Sequence, residues 1–183
     1  MKRTFAALVV ASLAFLPTKA FGETEYEAKF KWLLAFAKYT SWRNEDFPTK
    51  DAPFVLGIVG DNPFGRELEK LKERSIQKHK VEVKFFKNTQ EISGCHILFI
   101  SGSEKRNVTR ILKGIKERRI LTVSESDDFI REGGTVRILM KRIAPDDLVP
   151  IPEINPEASA PKGAWEFEPQ LLATIKTLKD QYQ

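Results

Sequence analysis

The chain has 183 residues, 42% hydrophobic and 30% charged, with 30 Lys+Arg against 25 Asp+Glu and a formal charge of +5. That length and balance suit one globular domain with a buried core and exclude disordered and collagen-like classes. A single cysteine, Cys95, excludes an intrachain disulfide framework and a structural zinc site built on paired CxxC motifs.

Lys2 and Arg3 precede an apolar run from Phe5 to Leu16, interrupted only by Ser12, and small residues follow around Ala20 and Gly22. A basic start, an apolar stretch of this length and a small-x-small exit are the marks of a cleavable export signal over residues 1–22. The run falls short of the ~20 apolar residues that a membrane-spanning helix needs. Export would leave residues 23–183 as one exported domain that does not span the membrane. It would also remove three cations, leaving 27 basic and 25 acidic residues. The remaining charge is polarised: residues 66–119 carry 15 Lys+Arg and 7 Asp+Glu, while residues 120–183 carry 7 and 11.

Apolar residues at Tyr26, Phe30, Leu33, Leu34 and Ala37, with Ser41, predict an amphipathic helix over 24–42, closed by Trp42. The continuous apolar run 54–59 predicts a strand buried on both faces. A turn at 60–65 leads into a helix to about Arg74, with Phe64, Leu68 and Leu71 inside. Alternation predicts a half-exposed strand at 81–85, and residues 96–100 read as a central strand. Ser103 is placed to cap a helix with Val108, Ile111, Leu112 and Ile115 inside. Strands follow at 120–123 and 135–140, with a short helical turn from Ser126 between them. A Pro-rich stretch, 145–169, holds an extended piece at 148–154. The last helix starts near Pro169 and buries Leu171, Leu172, Ile175 and Leu178. Strands alternating with helices predict a single three-layer α/β sandwich, its sheet mostly parallel with an antiparallel extension near the C-terminus.

The sequence holds no GxSxG elbow, HExxH motif, Walker loop or GxGxxG fingerprint, and no catalytic set, metal site or cofactor is expected. Cys95 and His96 are adjacent on a strand and point to opposite faces, which makes a poor nucleophile–base pair and predicts a buried thiol beside a core-edge histidine. An intermolecular disulfide through Cys95 stays open, as does a homodimer. Asn107-Val108-Thr109, a glycosylation sequon, falls inside a predicted helix and is read as chance. The strands at 54–59, 96–100 and 120–123 end in small polar loops that contain Gly60 and Asp61, Ser101 and Ser103, and Ser124 and Ser126. Ligands of open α/β sheets bind outside strand carboxyl ends, so these six residues form a candidate cleft, although helices also need such residues as caps. The basic section has little aromatic interleaving and no recognisable nucleic-acid module, so it does not suggest nucleic acid. Lys105, Arg106, Arg110 and Lys113 are instead the candidate surface for an acidic protein partner.

Several stretches together resemble the YfiR-like family of small periplasmic proteins. They are Ala28, Lys29 and Phe30 with Phe36, Ala37, Lys38, Tyr39 and Trp42; residues 53–61 with Pro63, Phe64 and Gly65; and residues 95–101 with Ser103 and Glu104. Residues 121–124, Phe129, Gly133, Gly134, residues 153–155, Leu171 and Leu172 continue the pattern. The resemblance implies a regulator rather than an enzyme. The best-known type of member binds the periplasmic part of an inner-membrane diguanylate cyclase and holds it inactive, and related domains are fused to sensor kinases. Arg43 after the tryptophan, Pro152 before Glu153-Ile154-Asn155, and the Pro-rich segment depart from the family pattern. A periplasmic small-ligand-binding protein using the strand-end loops is the alternative, and a hydrolase a distant third.

Overall fold

The computed structural model describes residues 24–71, 73–145, 147–158 and 165–182; the expected export signal and part of the Pro-rich segment lie outside them. A seven-stranded sheet has its strands in the spatial order 75–76, 79–86, 54–59, 97–100, 121–124, 136–144 and 147–154. Its strands are β2 (Phe54–Val59), β3 (Ser75–Ile76), β4 (His79–Phe86), β5 (Ile97–Ile100), β6 (Leu121–Ser124), β7 (Val136–Ala144) and β8 (Asp147–Ile154). The five strands from β4 to β7 in that order are parallel, and β3 and β8 close the two edges antiparallel. Helices α1 (Glu25–Lys38) and α3 (Pro169–Tyr182) cover one face and α2 (Val108–Ile115) the other. The expected three-layer α/β sandwich is therefore the observed fold.

Alternation along β2 divides the core between the two faces. Phe54, Leu56 and Ile58 pack with Phe30, Leu33, Phe36, Leu171 and Ile175 on the α1 side. Val55 and Val59 pack with Phe86, Cys95, Ile111 and Ile115 on the α2 side. Helix α1 starts at a capping box: the Thr24 hydroxyl accepts from Glu27 N at 3.2 Å, and the Glu27 carboxylate accepts from Thr24 N at 2.7 Å.

Several elements differ from the sequence expectation. Helix α1 stops at Lys38 rather than Trp42, and Thr40–Trp42 forms a short strand, β1, paired antiparallel with β9 (Trp165–Phe167). Ser41, expected inside, is exposed, because a strand alternates where a helix would have continued the stripe. Behind Gly65 the chain forms a 3-10 run, Gly65–Leu71, instead of an α-helix to Arg74, although Phe64, Leu68 and Leu71 are buried as expected. A second 3-10 run, Gly102–Asn107, precedes α2, and its cap is Ser101 rather than Ser103. Leu172, expected in the core, is exposed, because the inner face of α3 is carried by Leu171 and Ile175.

Candidate functional site

The strand-end residues are drawn into two knots. Gly60 leaves β2 with φ +88°, and a side chain there would meet Ser103 Oγ at 2.5 Å and Glu104 Cγ at 2.8 Å. Only glycine fits that backbone and that space. Asp61 N donates to Ser103 Oγ at 2.9 Å, and Ser103 N donates to Ser101 Oγ at 3.4 Å. In the second knot Ser124 Oγ donates to Ile100 O at 2.7 Å, and Ser126 N donates to Ser124 Oγ at 3.3 Å. Gly60, Asp61, Ser101 and Ser103 are thus brought together, with Ser124 and Ser126 alongside.

Above these loops lies an ionic cluster that sequence patterning did not single out. Lys29 of α1 is 3% exposed, and its ammonium donates to the carboxylates of Glu25 and Glu125. Tyr26 adds a 3.5 Å hydrogen bond to Glu125, whose carboxylate packs against Gly102. A Cβ on Gly102 would stand 2.8 Å from Glu125 Oε1. Burial by itself pulls the Lys29 ammonium down, but hydrogen bonds and attraction from Glu125 and Glu25 outweigh it and the net direction is up. Burial, then the Glu125 charge, raises the Tyr26 hydroxyl. The cluster ties α1 to the 101–104 and 124–126 loops across 96 residues of sequence. The Glu25/Lys29 spacing of four along a helix was its only local sign.

Lys105 and Arg106, in the 3-10 run, and Arg110 and Lys113, on α2, are all exposed. Among the described residues none of the four makes an ion pair, and Arg110 bonds only the Asn107 amide oxygen, at 3.3 Å. The inward stripe of Val108, Ile111, Leu112 and Ile115 turns Arg110 and Lys113 outward.

Cys95 and His96 separate onto opposite faces as expected. Burial pushes the Cys95 thiol up to about 12, although the Arg118 and Lys84 charges oppose it. Its thiolate form is therefore scarce at neutral pH. His96 Nδ1 accepts from Val55 N at 3.0 Å, and the ring stacks on Phe54 at 4.7 Å between centroids. Cavities of about 370 Å³, beside Cys95, His96 and Arg118, and about 580 Å³, between α2 and residues 130–135, flank the amino ends of the strands. Among the described residues no cluster of ligating side chains could hold a metal ion, and no helix is long and apolar enough to cross a membrane.

Compared with known proteins, the chain finds no significant match among curated sequences. A family model described as YfiR/HmsC-like matches residues 26–164, from the first turn of α1 to just before β9. The chain belongs to the YfiR/HmsC-like family.

Proposed function

We propose that this protein is a non-enzymatic periplasmic regulator. It docks on an inner-membrane signalling protein, of diguanylate-cyclase or sensor-kinase type, and modulates its output. Membership of the YfiR/HmsC-like family carries the reading. The exposed, uncompensated row of Lys105, Arg106, Arg110 and Lys113 supports it, because such a row favours encounter with an acidic protein surface. The strand-end loops support a small-ligand cleft less well, since the Ser103 and Ser124 hydroxyls already bond within the chain.

The immobilised protein should retain one such signalling protein from solubilised membranes. Arg110→Glu with Lys113→Glu should weaken retention by about tenfold or more at low salt, and deletion of the protein should change cyclic-di-GMP where the partner is a cyclase. Retention of no sensor or cyclase, with cyclic-di-GMP unchanged on deletion, would sink the proposal.

A further inference from the structure

Strand β4 is an edge strand with a partner along only part of its length. The two-residue strand β3 pairs with His79 and Lys80, and Arg74 O accepts from Val81 N at 3.1 Å on that side. Because alternate residues of a strand point their backbone groups the same way, Val83 and Phe85 also present N–H and C=O outward, away from β2. Among the described residues no strand lies beyond them. Phe85 is 57% exposed, more than any other large apolar side chain described. Around this open length stand Lys78, Lys80, Lys84 and Lys87, with Glu82 the one acid in residues 78–87. The edge is therefore cationic and partly apolar, its Val83 and Phe85 backbone groups are open, and its one acid, Glu82, lies 3.9 Å from the Lys84 ammonium in a half-exposed pair.

We propose that the free edge of β4, residues 82–86, accepts an extended acidic segment of a protein partner as an added strand. This rests on the docking reading and names the chemistry of the docked segment. Backbone bonds to Val83 and Phe85 supply the pairing, an apolar side chain covers Phe85, and Asp or Glu side chains on the opposite face meet Lys84, with Lys87 adding positive charge at the strand's end. Charge favours this occupant over a second copy of the chain, which would bring four more lysines to the same edge. A symmetric antiparallel pair centred on Val83 would also set the second β4 against the bond that Val81 N already makes to Arg74 O, just ahead of β3.

The test uses the purified protein and a blocked, fluorescent peptide alternating Glu or Asp with Val, beside a control with Lys at the acidic positions. The acidic peptide should bind, weaken with salt, and slow amide exchange at Val83 and Phe85. Phe85→Pro removes an outward N–H that β2 does not use, and should weaken binding about tenfold. Should that variant not fold, Lys84→Glu with Lys87→Glu should invert the preference between the peptides. The proposal is overturned if neither peptide binds, if both bind alike, or if exchange at Val83 and Phe85 is unchanged. It is equally overturned if the edge variants abolish only self-association or only binding to phosphatidylglycerol vesicles. Full retention of a membrane partner by folded Phe85→Pro overturns the edge and leaves the docking reading standing. Absence of retention by the unaltered protein overturns the docking reading itself.

Discussion

His96 is 5% exposed and lies among Trp42, Phe47 and Phe54, with ring centroids 4.5 Å from Phe47 and 4.7 Å from Phe54. Burial pulls its imidazole from 6.5 down to about 4. Between those values the unfolded chain binds a proton that the folded chain refuses. The stability contributed is thus fully present above about pH 6.5 and lost as pH falls toward 4. The contribution is at most about 3 kcal/mol. Thermal melts of the unaltered protein should show this decline between pH 6.5 and 5, above the range where carboxylates titrate. The His96→Gln variant should be flatter there, and an equal slope in both would contradict the assignment. The sequence placed His96 at the start of a strand and opposite Cys95, but its neighbours Trp42 and Phe47 come from a segment read as helix end and loop. For the same reason the Lys29–Glu125 pair was invisible: its partners meet only when α1 lies across the ends of β5 and β6.

At the scale of elements, alternation and apolar runs located every long strand, because a strand buried on both faces admits few polar residues. The short pieces were missed. Gln77 and Lys78 turn the chain between β3 and β4 with φ of 48° and 74°, which non-glycine residues adopt at a cost. Neither carries the glycine signal of such a hairpin, so the turn was not legible. The Gln77 side chain donates to Thr40 O at 2.9 Å, a long-range bond that helps hold the hairpin in place. Lys78 is exposed at the second position of the turn, and Lys78→Gly should relieve strain of about 1 kcal/mol. The melting temperature should rise by about 2–4 °C for a domain of this size. A lower melting temperature would show that the lysine is held by something other than its backbone.

For the whole molecule, the family match ends at residue 164, yet the chain beyond it is part of the core. β9 pairs with β1, Glu168 N donates to Tyr39 O at 2.9 Å, and Leu171 and Ile175 are buried against the α1 side. Each fully buried side chain of this kind contributes about 1.5–3 kcal/mol, set against a total stability of about 5–15 kcal/mol for a domain. A chain ending at residue 158 should therefore lose its cooperative thermal transition and bind a hydrophobic dye. A sharp transition with no dye binding would show that β9 and α3 are accessory.

The sequence by itself determined the three-layer α/β architecture, the mostly parallel sheet with its antiparallel C-terminal extension, the division of Cys95 and His96 between faces, and the outward cations of α2. Each of these follows from periodicity, which acts over a few neighbouring residues. Only the tertiary structure decided where α1 stops, because Thr40–Trp42 is held as a strand by residues 165–167. It also decided that Lys29 pairs with Glu125 and that β4 is left open beyond Val81. Those outcomes depend on which distant segments meet, and local pattern carries no record of that. The net charge of +5 followed from composition alone; the placement of a lysine-rich edge beside an exposed Phe85 required the folded sheet.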